Sequence, residues 1–315
     1  MQIQNQPLID TTHSQANGTL PLISVVVPVY NDTVRLKECL RALTNQTYPR
    51  ELFEVIVVDN GSEERVSGIS DEFPFARVIY ESKPSSYAAR NKGVAAARGD
   101  VIAFTDADCI PSSQWLENGC KALSSVAGCG FVGGAIDVFY QNPNKPTWGE
   151  AWDQVFGFRQ QLAIEMEGGV MTANVFTFRE VLQKTGPFDE RLRSLGDMDW
   201  AGKVLAVGYT GAFSADAVVR HPGRRTIRDI LRRERRFAGG AYSRYKNSTG
   251  FVRLLVWLNF CTYHVVGNRA EVWKSLASAK IDKLTRRRIR LMGPLISAVR
   301  FGELVRLLLG GQPNR

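Results

Sequence analysis

The feature that most constrains this chain is a series of short apolar, β-branched runs, each ending at a polar residue. Ile23 to Val29 is the first, Val55 to Val58 the second, Arg77 to Tyr80 a shorter third, and Val101 to Thr105 the fourth. Runs without polar alternation suit strands buried on both faces of a parallel sheet. Helical segments fall between them. Asp32 can cap a helix carrying Val34, Leu36, Cys39, Leu40 and Leu43, a polar stretch up to Phe73 is compatible with a helix, and the alanine-rich Ser86 to Arg98 is closed by Gly99. This alternation implies right-handed crossovers and an α/β fold, a mostly parallel sheet flanked by helices. Such sheets bind ligands outside the carboxyl ends of their strands.

Beyond Phe131 the rhythm changes. A strand is expected at Phe131 to Val138, a loop at Gln141 to Pro146, then an aromatic segment with Trp148, Trp152, Phe156 and Phe158. A strand from Val170 to Phe178, a helix from Asp199 to Val207 and a strand near Ala217 to Arg220 complete the core, and no internal repeat is visible. The expected division is a disordered leader (1–20), a catalytic unit (21–222, with halves at about 21–110 and 111–222), and a basic helical C-terminal region (223–315).

Charge separates the same regions. Residues 1–219 hold 18 Lys and Arg against 26 Asp and Glu, whereas residues 220–315 hold 22 against 5. A basic C-terminal third fits an anionic surface, phospholipid or nucleic acid, and equally a solvated basic face. The cysteines Cys39, Cys109, Cys120, Cys129 and Cys261 form no CxxC pair, which favours reduced thiols over a disulfide framework. No signal peptide is read at the N-terminus. Leu254 to Val266 is too short to span a bilayer, and Leu291 to Leu309 is broken by Arg300, Glu303 and Arg306, where a span needs ~20 apolar residues. A cytoplasmic location is expected, with peripheral contact at the membrane face as a candidate.

Several strand ends present polar groups. Tyr30 offers a ring face and Asp59 a carboxylate for a nucleotide base, although Asp59-Asn60-Gly61 also reads as a simple turn. Asp106-Ala107-Asp108 is more specific. Two carboxylates directly after a buried strand repel each other unless a hard cation, Mg²⁺ or Mn²⁺, joins them to a diphosphate. His221, before Pro222-Gly223, can complete such a site or can be an ordinary turn histidine.

The order of these motifs resembles family 2 of the glycosyltransferases, whose inverting members share the Rossmann-like fold called GT-A. The matching stretches are Val25-Val26-Val27-Pro28-Val29-Tyr30-Asn31, Val57-Val58-Asp59-Asn60-Gly61-Ser62, Ala89-Arg90-Asn91-Lys92-Gly93, Phe104-Thr105-Asp106-Ala107-Asp108, Gly186-Pro187-Phe188-Asp189-Glu190 and Gly196-Asp197-Met198-Asp199. The likeness implies that Pro28, Tyr30 and Asp59 hold base and ribose, that Arg90 approaches the nucleotide or its phosphates, and that Asp108 with Asp106 binds the metal diphosphate. Asn174 matches a position lining the donor-sugar and acceptor region. Asp197 matches the general base, and a carboxylate on the acceptor side is what inversion requires. A helix cap is the competing reading for Asp197.

Two departures from the family pattern stand out. Gly196 occupies the place of an acidic residue, which keeps Asp199 open as a substitute base. The Gln-x-x-Arg-Trp signature of processive members is replaced by Arg232-Arg233-Glu234-Arg235-Arg236-Phe237, so transfer of one sugar is expected. The implied reaction takes a UDP-, dTDP- or GDP-sugar donor and a saccharide or lipid-linked saccharide acceptor, as in cell-surface polysaccharide or glycolipid synthesis.

Seven arginines lie between Arg224 and Arg236, and on one continuous helix Arg225, Arg228, Arg232 and Arg236 would share a face. Arg232, Arg233 and Arg236 are the candidates for a phosphate or acceptor contact. Trp152 is a candidate for the acceptor side. Lys283 to Arg290, followed by Leu291 to Leu309, has the pattern of an interfacial helix or of a helix packed on the core. Two other classes make demands of their own. A sugar nucleotidyltransferase would want a glycine- and arginine-rich loop after the first strand, where Pro28-Val29-Tyr30-Asn31-Asp32 stands. A nucleic-acid-binding protein would leave the strand-end carboxylates without a role, and no nucleic acid is expected as partner.

Overall fold

The apolar runs become strands because each can bury both of its faces. The computed structural model describes residues 20–64, 66–245 and 281–312. Most of the expected leader and the Leu254 to Val266 stretch lie outside these residues. β1 (Ile23–Val29) pairs in parallel with β2 (Phe53–Asp59) and with β4 (Val101–Thr105), and β2 pairs in parallel with β3 (Ala76–Tyr80). Val25 and Val27 pack with Leu36, Leu40 and Leu43 of α1 (Thr33–Thr44), while Val26 faces the layer that contains Ala89 of α3 (Ser86–Ala96). Each such fully buried aliphatic side chain contributes roughly 1.5–3 kcal/mol relative to exposure.

The polar stretch before Phe73 yields only a short helix, α2 (Ile69–Glu72), after one 3₁₀ turn. The helix α3 lies hard on the sheet: a Cβ on Gly93 would stand 2.4 Å from Cγ1 of Val26. That close approach fixes Arg90, almost one turn earlier, against the end of β4.

The second half supplies what the alternation of runs does not announce. After β4 come β5 (Ile110–Pro111), α4 (Trp115–Ser125), β6 (Cys129–Phe139), α5 (Trp148–Phe156), α6 (Gln160–Glu167), β7 (Asn174–Phe178), α7 (Arg179–Thr185), α8 (Gly196–Ala206) and β8 (Thr210–Pro222). The eight-stranded sheet has the order β3-β2-β1-β4-β7-β6-β8-β5. β7 is antiparallel to both β4 and β6, and β5 is antiparallel to β8. The expected Val170 to Phe178 strand is thus shorter, and the strand near Ala217 is the end of a much longer one.

The C-terminal region holds α9 (Ile227–Tyr245) and α10 (Lys283–Leu308). They pack on each other and on α5 through Ala151, Trp152, Val155, Ile230, Ile289, Met292 and Ile296. Packing on the core is therefore one role of α10. Helical periodicity puts Arg300, Glu303 and Arg306 on a side opposite Leu304, Val305 and Leu308, but Arg300 turns inward to Glu234 of α9, which is fully buried, and Glu303 is buried against Arg306 of its own helix. No helix among the described residues is long and apolar enough to cross a membrane.

Candidate active site

A cleft of about 1090 Å³ opens at the carboxyl ends of β1 and β4 and runs toward α9 and α10. Pro28, Tyr30, Arg90, Asp106, Asp108, Trp152, Asp197, His221, Arg233 and Arg236 all line it. Chain connectivity explains how distant residues meet. Asp106 and Asp108 follow β4, and the pairing of Ile110 with Arg220 draws the turn after β4 beside the end of β8. Nε2 of His221 then stands 3.4 Å from Oδ1 of Asp108. Nδ1 of His221 lies 2.8 Å from the carbonyl oxygen of Pro222, which can only accept. Nδ1 therefore carries a hydrogen, and in the neutral ring Nε2 keeps its lone pair toward the carboxylate.

Burial raises the pKa of Asp108, and Asp106 adds to the rise, while His221 and the guanidinium of Arg35, 3.6 Å from Oδ2, oppose it. This is an anionic site short of positive charge. Carboxylate oxygens with one neutral imidazole suit a hard divalent cation such as Mg²⁺ or Mn²⁺. Cys109 lies near enough to be counted with them, yet burial and both aspartates push its thiol well above the ordinary range. As a thiol it is a poor ligand, and it lies fully buried behind the cleft surface.

Arg90 ties the two sides of the site together. It is buried, donates through Nη2 to Oδ1 of Asp106 at 2.5 Å and through Nη1 to the carbonyl of Ser86 at 3.3 Å, and its charge favours the ionised form of Asp197. Asp197 sits in the first turn of α8. It does not cap that helix: the residue before the helix is Leu195, held in the left-handed region at φ 63°. A left-handed non-glycine conformation of this kind is strained, and it turns the first residues of α8 into the cleft. The carboxylate accepts from the backbone N–H of Met198 (3.0 Å) and Thr172 (3.3 Å) and from the Tyr87 hydroxyl (3.3 Å). Burial nevertheless leaves its pKa raised.

The Tyr87 hydroxyl also accepts the N–H of Gly196 at 2.9 Å. A Cβ on Gly196 would lie 2.7 Å from Cε2 of Tyr87, which gives the glycine a reason to stand where the family pattern has an acid. Asp199 is half-buried, pairs with Lys203 at 3.2 Å and does not line the cleft. Tyr87 itself was missed in the sequence. An aromatic residue at the start of an alanine-rich helix was its only signal.

Three expected site residues stand back from the cleft. Asp59 ends β2 and accepts the Ser62 N–H at 2.9 Å; its neighbour Asn60 lines the wall instead. Asn174 has no exposed surface. Its Oδ1 accepts from Nε1 of Trp115, and its Nδ2 donates to the carbonyls of Ala135 and Ala217, each at 2.8 Å. It clamps α4, β6 and β8 beneath the site rather than lining it, because every polar atom it has is already satisfied by backbone or indole. Arg232 points outward, 3.5 Å from Asp229.

The arginine stripe is likewise reshaped. The helix starts at Ile227, so Arg225 is not on it, and Thr226 accepts the Asp229 N–H at its start. Arg233 is buried against Asp153 (2.7 Å) and the carbonyls of Phe156 and Gly157, and Arg224 shares Asp153 at 2.8 Å. Arg236 lies in the cleft. Burial and Arg224 lower its pKa, whereas Tyr87, Asp106 and Asp197 oppose this, and no carboxylate among the described residues forms an ion pair with it. Trp152 is buried rather than exposed, stacked near Phe156, and its indole N–H has no hydrogen-bond partner.

The chain is similar to known proteins in sequence and in fold. The sequence pattern described as glycosyl transferase family 2 matches residues 24–186. Glycosyltransferase AglE of Haloferax volcanii is 36% identical over 228 residues, which cover 71% of this chain and 74% of that protein. The pre-mycofactocin glycosyltransferase of Mycobacterium tuberculosis is 29% identical over 230 residues, 70% of this chain and 46% of its own length. Among solved structures, a mannosyltransferase from Pyrobaculum calidifontis in complex with GDP-Man and Mn²⁺ superposes with a TM-score of 0.62 at 20% identity, covering 92% of this chain and 88% of that one.

Proposed function

The chain belongs to glycosyl transferase family 2, and from that membership we propose that it moves a single sugar from a nucleotide diphosphate sugar to an acceptor hydroxyl with inversion at the anomeric carbon. One observation carries the reading. A single cleft holds Asp108 beside His221, with Asp106 on the Arg90 guanidinium nearby, and, separately, a half-buried Asp197 that lies in the field of the same guanidinium.

Base and ribose are received by Pro28, exposed Tyr30 and Asn60 just past the β2 end, with Asp59 behind them holding the turn, and a UDP-, dTDP- or GDP-sugar fits such a wall. The GDP-Man complex of the Pyrobaculum mannosyltransferase supports this donor class. Asp106, Asp108 and His221 would hold Mg²⁺ or Mn²⁺, which when bound offsets the negative charge that grows on the departing diphosphate. Arg236 adds a fixed positive charge at the same cleft.

Asp197 accepts the proton of the incoming hydroxyl. Its raised pKa brings it nearer the working pH, where a general base is most effective. The acceptor, a saccharide or a lipid-linked saccharide of surface polysaccharide or glycolipid synthesis, would approach along the wall to which Trp152 contributes.

The test is a thermal-shift screen of nucleotide sugars with and without manganese. A ligand at one hundred times its Kd stabilises by about 2.7 kcal/mol, so the right donor raises Tm only when manganese is present. Absence of any such donor would overturn the reading. Proton NMR of the product then shows whether the anomeric configuration has inverted; retention would remove Asp197 from its role.

A further inference from the structure

Among the described residues, α10 buries one face against the protein and leaves the other exposed. Ile289, Met292 and Ile296 are buried against α9 and α5, and Leu304 and Leu307 are buried on the same side of the helix. Leu291 (62% exposed), Leu295, Phe301, Leu308 and, just past the helix end, Leu309 (83%) face outward. At about 100° per residue, Leu291, Leu295 and Leu309 fall on one side with Phe301 and Leu308 on its flank, a strip about 27 Å long. Ordinary surfaces seldom line up so many large apolar side chains.

Charge names the occupant. The first two turns of α10 carry Lys283, Arg286, Arg287, Arg288 and Arg290, of which Lys283, Arg287 and Arg290 are exposed. Glu303 is the only acid in the helix, and it is buried and bonded to Arg306. The outer face therefore combines apolar surface with positive charge alone. That combination matches the interface of a bilayer bearing anionic headgroups, where leucines enter the acyl boundary and arginines meet phosphate.

We propose that the outer face of α10 docks this protein on an anionic phospholipid surface, with the helix lying along it. The same helix gives Gly293, Pro294 and Ser297 to the wall of the cleft. Docking would therefore hold the cleft beside the lipid surface, within reach of an acceptor anchored there. The inference stands apart from the transferase reading, since vesicle binding and donor binding are measured separately.

The full chain is co-sedimented with vesicles of phosphatidylcholine and phosphatidylglycerol, roughly three to one, and with phosphatidylcholine alone. Binding is expected to the anionic vesicles only, and to weaken at about 0.5 M salt. The Leu291→Asp/Leu295→Asp variant should lose about tenfold or more of its partitioning while keeping the wild-type circular dichroism and manganese-dependent donor binding. Should that variant misfold, Lys283→Glu/Arg287→Glu, at two exposed sites, carries the same expectation. No binding by the wild type overturns the proposal, as does binding that neither variant reduces. A dimer in sedimentation velocity that the leucine variant dissolves, without vesicle binding, makes a second copy the occupant and overturns it too.

Discussion

Nε2 of His221 stands 3.4 Å from Oδ1 of Asp108 because a two-residue strand, β5, pins the turn after β4 to the end of β8. If the pair holds a divalent cation, Asp108→Ala removes a charged ligand and His221→Ala a neutral one. Manganese-dependent donor binding is expected to vanish in the first and to weaken at least about tenfold in the second, read by titrating manganese at fixed donor. Unchanged manganese dependence in both variants would take the metal away from this pair.

Asp197→Asn keeps the shape of the cleft and removes the carboxylate proposed as the base. Donor affinity should stay within about threefold of wild type, while kcat falls by roughly 10²–10⁴, the usual contribution of a positioned acid or base. Equal loss of donor binding in Asp197→Asn and Asp108→Ala would show that Asp197 belongs to the donor site.

The pH profile has a definite sign. A base at Asp197, as proposed, acts deprotonated, so kcat/KM is expected to rise with pH through its pKa. Burial raises that value, and Arg90 together with the N–H groups of Thr172 and Met198 only partly restores it. The acidic limb should lie above the ordinary aspartate value of about 3.9. Tyr87→Phe deletes a donor to the ionised carboxylate and should move the limb to still higher pH. A limb that does not move in this variant would point to a different titrating group.

Much of this site is readable from residues adjacent in the chain. Asp106 and Asp108 follow a run with no charged residue, and Pro28 and Tyr30 close another, so their place at strand ends follows from burial alone. Asp197 was legible only through likeness to a family motif. What could not be read depends on contacts far apart in sequence. Asn174 looks like a cleft residue because it opens β7, but Trp115, Ala135 and Ala217 consume its amide. The arginines of α9 form one periodic stripe on paper, whereas Asp153 on α5 and Glu234 sort them into buried and outward groups. β5, with two residues, has no periodicity to detect.

That sorting makes Asp153 a keystone of the C-terminal packing. It has no exposed surface and accepts from Arg224 and Arg233 together. Removing one member of a buried ion pair leaves the other charge uncompensated, at a cost of about 3–5 kcal/mol. Asp153→Ala is therefore expected to lower stability by that order in denaturant unfolding. A cost below about 1 kcal/mol would mean that water reaches the two arginines.

Arg236 and Arg232 are four residues apart on α9 and give the sharpest contrast. Arg232 lies outside the cleft beside Asp229, and an exposed pair of this kind is worth about 0–1 kcal/mol, so Arg232→Ala should leave donor binding unchanged. Arg236 faces the cleft without a carboxylate of its own, in the field of Asp106 and Asp197. A diphosphate is the partner that this charge lacks. A charge-assisted hydrogen bond contributes about 1.5–3 kcal/mol, so Arg236→Ala should weaken nucleoside diphosphate binding by roughly tenfold to a hundredfold in calorimetry. Equal behaviour of the two variants would place the diphosphate elsewhere and leave Arg236 to the acceptor.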